Sequence, residues 1–191
     1  VSLRIKEKGP LVASLEIASS APGARSLLRE IRLTSGSDRV EIINTIDKTA
    51  VLDPEGIHIG FPFNVPQGVI RVDSAWGLFR PEYDQLPGSC KNYLSAQRWV
   101  DISNQDYGVT WVTEDAPLIE VGNISADPVL VGWIRRLEHS GTLFSYVMNN
   151  YWETNYKASQ EGVVTFRYSL FPHGAFSPEQ AKRNGLAVNQ P

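Results

Sequence analysis

The chain has 191 residues, 42% hydrophobic and 20% charged, with a formal net charge of −3. This is the size of one ordinary domain able to bury a real core, and its apolar content excludes a disordered tail. Eighteen basic against 21 acidic residues, with no Lys/Arg block, argue against nucleic-acid binding, and no apolar run approaches the length of a membrane-spanning helix. The single cysteine, Cys90, excludes an internal disulfide framework and a cysteine-built zinc site, and is compatible with any compartment. The chain starts at Val1, without an initiator Met or the basic and apolar regions of a leader, and reads as a fragment or a processed chain.

In chain order the pattern is period two, as expected of half-buried strands. The first candidate covers 2–8. In 11–17, Leu11, Leu15 and Ile17 alternate with Ser14 and Glu16. Strands follow at 27–34, 39–47 and 57–65, where Ile57, Ile59, Phe61, Phe63 and Val65 alternate with His58, Gly60, Pro62 and Asn64. Candidates at 68–73 and 93–102 come next, then 107–111, 117–121, 129–137 and 141–148. The last is 164–170, where Val164, Phe166, Tyr168 and Leu170 alternate with Thr165, Arg167 and Ser169. Turn signals such as Gly9-Pro10, Pro66-Gln67-Gly68 and Pro87-Gly88 separate them. One helix is expected, over 178–185, with Ser177 as cap, Pro178 at the first position, Glu179 at the positive end and Gly185 as terminator. Val188–Pro191 read as a tail. About twelve short strands and one helix predict an all-β chain, a large antiparallel β-sandwich forming a single domain over 1–191.

The chemistry on offer is limited. His58, His139 and His173 are scattered, with no metal-ligand spacing, so no metal site is expected within this chain. No Gly-x-Ser-x-Gly elbow or phosphate loop is present, and Cys90 has no His nearby in sequence. Two segments stand out. Residues 148–156 (Met-Asn-Asn-Tyr-Trp-Glu-Thr-Asn-Tyr) combine three aromatics with three asparagines just after a strand, and 76–92 form a long polar connection. Aromatic faces against C–H surfaces and amides for paired hydroxyls are the chemistry of a sugar site. The bland alternative is a loop whose rings pack and whose amides bond their own backbone. The candidate substrate-binding or domain-interface residues are Asn149, Asn150, Trp152 and Asn155, on a loop expected to face a partner domain or to line a cleft shared with one.

At these residues a resemblance enters. The phrases 55–63 (Glu-Gly-Ile-His-Ile-Gly-Phe-Pro-Phe), 84–92 (Asp-Gln-Leu-Pro-Gly-Ser-Cys-Lys-Asn), 97–104, 106–113, 148–155 and 160–168, with Pro172-His173, resemble the C-terminal β-domain of glycoside hydrolase family 38, the α-mannosidases, and most closely its bacterial members. The matches run in order from about residue 10 to 173. Glu153 stands where many relatives would carry His, so no catalytic task is assigned to it. The resemblance implies a two-layer sandwich of the galactose-mutarotase-like type. It also implies that the zinc ligands and the aspartate nucleophile belong to a separate N-terminal domain, so no catalytic residue, cofactor or metal is carried onto this chain. The parent would be a zinc-dependent, retaining α-mannosidase acting on mannose-containing glycans. The partner of this chain would be the N-terminal catalytic domain of the same polypeptide. Two further readings are a free-standing carbohydrate-binding module and an aldose epimerase-like enzyme, the latter needing a His and a carboxylate in one cleft.

Overall fold

A computed structural model describes residues 1–125, 132–150 and 157–189. Thirteen strands and one helix are present among them: β1 Ser2–Lys8, β2 Val12–Ser19, β3 Ala24–Thr34, β4 Val40–Lys48, β5 Gly56–Pro62, β6 Val69–Ser74, β7 Gly77–Phe79, β8 Leu94–Ser95, β9 Trp99–Ser103, β10 Gly108–Thr113, β11 Leu118–Val121, β12 Thr142–Asn149, β13 Gly162–His173 and α1 Pro178–Asn189. They form a nine-stranded sheet in the order β1-β2-β3-β4-β13-β10-β9-β6-β7 and a four-stranded sheet in the order β5-β12-β11-β8. Neighbouring strands are antiparallel throughout, as the alternating pattern requires when one face is wet.

The two sheets meet over a core built from the apolar half of each alternation. Trp111, fully buried, lies with its ring centroid 4.8 Å from Phe61 and 5.8 Å from Tyr168. Ile119, Leu143 and Val100 pack around them from β11, β12 and β9. The buried Tyr168 hydroxyl donates to Ser145 Oγ at 2.9 Å and so ties β13 to β12 across the layers. Burial raises that phenol well above the ordinary tyrosine range. The opposite face of β9, β10 and β13 presents Trp99, Val112 and Phe171, and α1 covers it with Ala181 and Val188.

Three expectations are corrected. The run 93–102 is not one strand: β8 joins the small sheet and β9 the large one. Between them Ala96 N–H donates to Pro117 O and Gln97 N–H to Asp73 O, so the chain changes sheets within two residues. The described part of 129–137, residues 132–137, is not a strand. Gly132 takes φ +76, and side chains replace a ladder there: Asn92 Nδ2 donates to Gly132 O, Asn92 Oδ1 accepts from Ile134 N, and Lys91 Nζ donates to Arg135 O. Finally, Gly185 does not end the helix, which continues to Asn189, so Val188 and Asn189 are not tail. The expected start is found, with Ser177 Oγ accepting from Gln180 N at 3.2 Å. Gly185 is needed for proximity: a Cβ there would lie 2.7 Å from Trp99 Cδ1.

Candidate functional site

One end of the sandwich, where β6 begins, β11 ends and β12 begins, carries a cleft of about 660 Å³. That is in the range of small-ligand sites, roughly 300–1,000 Å³. Its walls are the 67–70 turn and strand start, the 80–83 segment after β7, and the 136–139 approach to β12. The polar connection noted in the sequence is therefore one of the three walls, and the last two residues of the stretch expected as a strand at 129–137 begin another.

Its own polar side chains hold the 80–93 segment in place. Arg80 donates through Nε and Nη2 to both carboxylate oxygens of Asp84, and Asp84 Oδ2 also accepts from Arg80 N. Glu82, at φ +74, accepts from Lys91 Nζ at 2.8 Å and from Leu137 N at 2.7 Å, which joins the two walls. Buried Asn92 spans from this segment to Ser125 O and Gly132 O. Tyr83 is 75% exposed at the cleft, with the Arg80 guanidinium 5.6 Å from its ring centroid. His139 Nε2 lies 2.9 Å from Gly68 O.

The electrostatics of the cleft keep its carboxylates ionised. Hydrogen bonds from the Arg80 guanidinium and backbone hold the Asp84 carboxyl down at about 2. The hydrogen bond from Lys91, helped by the Leu137 N–H, keeps Glu82 below the usual carboxylate range. A glycosidase acid needs the opposite shift, so neither carboxylate suits proton donation to a leaving group. An exposed ring with fixed carboxylates, Arg136 and His139 around it offers a stacking surface and hydrogen-bonding groups.

Asn149 and Asn150 lie at the far end of β12. Seven residues at ~3.3 Å apiece put Asn149 roughly 23 Å from Thr142 and the cleft. Asn150 is a local staple: Nδ2 donates to Val51 O at 2.8 Å and Asp53 O at 3.0 Å, while Oδ1 accepts from Glu55 N at 2.7 Å. Asn149 Oδ1 is buried with no hydrogen-bond partner among the described residues. Both border a void of about 10 Å³, near the size of one water, beside the Lys48–Glu55 ion pair at 2.5 Å. Trp152 and Asn155, with Tyr151, Glu153 and Tyr156, lie outside the described residues.

Two titratable clusters were not visible in the sequence. His58 Nε2 lies 2.6 Å from Glu120 Oε1, both side chains buried, and the imidazole stacks on Tyr146 at 4.7 Å. The other Glu120 oxygen accepts from Ser125 N. On the helix-covered face, fully buried Asp101 accepts from Ser103 Oγ at 2.5 Å and Thr110 Oγ1 at 3.0 Å, and its Oδ2 lies 2.7 Å from His173 Nε2. Arg71 lies 3.5 Å from the same carboxylate and covers the Phe176 ring at 4.2 Å. The His58–Glu120 pair is closed by packing, His173 and Arg71 stay partly exposed at the other cluster, and both clusters act as cross-strand staples. Removing the buried acid, Glu120 or Asp101, would strand the donors that face it, at ~3–5 kcal/mol. The signal available in sequence was an acid at an internal strand position, Asp101 between Val100 and Ile102. Cys90 is half-buried, its Sγ 3.9 Å from Asn92 Oδ1. Among the described residues no three His, Cys, Asp or Glu side chains converge to hold a metal.

With this geometry in place, the chain was compared with known proteins. A family model described as the glycosyl hydrolases family 38 C-terminal domain matches residues 1–117. A comparison with curated proteins returned no match. Among solved structures, an α-mannosidase from Enterococcus faecalis V583 aligns over 100% of this chain with a TM-score of 0.70 at 16% identity. A protein of glycosyl hydrolase family 38 from Enterococcus faecalis does so with a TM-score of 0.69 at 17% identity. The chain spans 24% and 25% of their lengths. A galactose mutarotase related enzyme from Lactobacillus acidophilus aligns at a TM-score of 0.42 and 7% identity, over 93% of this chain and 73% of its own, a likeness too slight to argue from. The sandwich and the family model agree, and the chain belongs to the C-terminal domain family of the family 38 glycosyl hydrolases.

Proposed function

We propose that this chain is the structural and substrate-shaping β-domain of an α-mannosidase-like hydrolase, whose catalytic centre lies in an N-terminal domain of the same polypeptide. The observation that carries this reading is the alignment of the whole chain with a quarter of an α-mannosidase. In the parent, bound zinc would act as a Lewis acid on substrate oxygens and an aspartate would be the nucleophile that attacks the anomeric carbon, in a retaining hydrolysis of mannose-containing glycans. In this reading the zinc ligands and the nucleophile belong to that N-terminal domain, and no step is assigned to residues 1–191. Their part is to position sugar and partner domain. The cleft provides an exposed Tyr83 ring for a pyranose face and fixed charged groups for its hydroxyls. A second contact, toward the catalytic domain, is assigned to the amide–aromatic segment of Asn149, Asn150, Trp152 and Asn155; Asn150 anchors its start on the 51–55 backbone, and Trp152 and Asn155 lie outside the described residues. A wholly polar cleft without Tyr83 would not favour sugar over water, because sugar recognition needs an apolar face as well as donors.

The test is hydrolysis of an aryl α-mannoside by the full polypeptide, abolished by a chelator and restored by zinc, with residues 1–191 alone inert. A parent without such activity, or turnover by the 191-residue chain itself, sinks the reading. In the active parent, Tyr83→Ala is expected to lower kcat/KM for a branched mannoside about two- to tenfold, the equivalent of one aromatic face at ~0.5–1.5 kcal/mol, and to leave the aryl substrate nearly unchanged.

A further inference from the structure

The two sheets are unequal. Strand pairing puts Leu3 opposite Ile17, Ile5 opposite Leu15, Leu15 opposite Ile31 and Leu33 opposite Val40. Directly paired residues share a face, and Ile31 and Leu27 in turn oppose Ile42 and Ile46 of β4, which point into the core. The apolar side of β1–β3 is thus a continuation of the core face of the large sheet. It has little cover: Leu3 is 64%, Ile5 62%, Leu33 53% and Leu15 40% exposed. The reverse side of the same strands carries the ion pairs Arg4–Glu16, Lys6–Glu30 and Arg25–Asp47. Water therefore already has its face, and the bare apolar side is built for a second layer.

The small sheet stops just short of it. Its β5 edge is the one nearest β4: Lys48 at the end of β4 pairs with Glu55 just before β5 at 2.5 Å and shares a void with Ile57, whereas the chain leaving β8 at the far edge bonds Asp73 O of β6 through Gln97 N–H. β5 pairs with β12 on one side, and no strand pairs with its other side among the described residues. An unpaired edge of this kind is a template for strand addition. We propose that strands of the same polypeptide lying outside residues 1–191 add to the free edge of β5 and cover the apolar face of β1–β3. At ~4.8 Å per strand, about three strands span the gap. Each would alternate apolar residues toward Leu3, Ile5, Leu15 and Leu33 with polar ones outward. One carries an acceptor opposite Arg29, whose Nε donates to Asn44 Oδ1 at 2.7 Å on this face, beside an Asn44 Nδ2 that is buried without a partner among the described residues.

The choice of occupant follows from two independent features. A second copy laid face to face would bury the leucines but leave the β5 edge open, whereas added strands satisfy both. The solved relatives are about four times as long as the region this chain matches, so the polypeptide is available. The inference rests on the family assignment and not on the proposed activity, so its test reads no turnover.

Amide hydrogen exchange across β5 is compared in the full polypeptide and in residues 1–191. Those β5 amides that do not bond β12 are expected to exchange at least about a hundredfold more slowly in the full polypeptide. The double variant Ile5→Glu/Leu15→Glu is expected to abolish that difference in the full polypeptide. In residues 1–191 it should lower the thermal unfolding midpoint by no more than ~6 °C, since two directly opposed glutamates and the lost pairing with Ile31 are a local cost. Equal β5 exchange in the two proteins overturns the proposal. So does a dimer of residues 1–191 in sedimentation velocity that this double variant dissolves, because a second copy would then be the cover. A parent with protected β5 amides but no α-mannosidase activity upholds this inference and refutes the proposed function alone.

Discussion

Replacing Gly185 with alanine sets two effects of opposite sign against each other. In a helix interior Gly→Ala is favourable by ~1 kcal/mol, because alanine loses less backbone freedom on folding. Position 185 lies inside α1, so propensity alone predicts stabilisation. The packing says otherwise. The new methyl would sit 2.7 Å from Trp99 Cδ1 and 3.2 Å from Arg98 Cβ, where carbon contacts relax at ~3.5–4.0 Å. Trp99 is buried and wedged among Val112, Phe171 and Ala181, so its ring has no free rotamer to take up an overlap near 1 Å. Either the indole shifts into Phe171 or α1 lifts from β9 and β10. Overpacking of this kind costs ~1–3 kcal/mol, which exceeds the propensity gain over most of that range. The expected net result is destabilisation by about 1 kcal/mol. Urea titration of residues 1–191 followed by tryptophan fluorescence reads it as a lower midpoint at unchanged slope, with a blunted near-ultraviolet signal from Trp99. A midpoint higher by the equivalent of ~1 kcal/mol would show that α1 slides freely and that the tight approach to Trp99 does not constrain it.

Gly108→Ala is expected to be more severe, since a Cβ there falls 2.2 Å from Ser103 Cβ and 2.7 Å from Ile102 O in the β9–β10 ladder. We expect a loss above ~3 kcal/mol, read as a collapse in the yield of folded protein, and a normal unfolding midpoint would refute it. Asp115 accepts from Arg167 Nη2 at 2.7 Å, Nε at 3.0 Å and backbone N at 2.8 Å, and the guanidinium bonds chiefly hold its carboxyl below the usual range. Its folded pKa is thus depressed, so the stabilisation is present above the ordinary value of about 4 and is lost as pH falls through the folded value. Asp115→Asn should then cost about 1 kcal/mol or less at pH 7, Arg167 being 55% exposed, with the gap to the parent protein closing toward pH 2. A gap that is constant or widens on acidification would contradict this assignment.

The alternation of apolar and polar residues specified most of the strands, because period two leaves a strand only one way to bury its face. Ile57 to Phe61 and Val164 to Leu170 follow it directly, as does the cap at Ser177, where a side chain meets its own backbone. The family was legible too, in phrases of which four cover β5, β9, β10 and the first half of β13. What failed was whatever depended on a distant neighbour. Residues 93–102 alternate well enough for one strand, but Pro117 O and Asp73 O, on different sheets, divide it. Residues 132–137 read as a strand until Asn92, Lys91 and Glu82 take their backbone groups. Gly185 has a terminator's composition, and only the position of Trp99 shows that it is a close-contact glycine. The candidate site divides in the same way. The polar character of 76–92 was visible in the chain, whereas the cleft it forms with 136–139 exists only because Glu82 reaches Leu137, 55 residues on. Local chemistry is written in neighbouring residues, and a cleft is a relation between segments that only the folded sheets bring together.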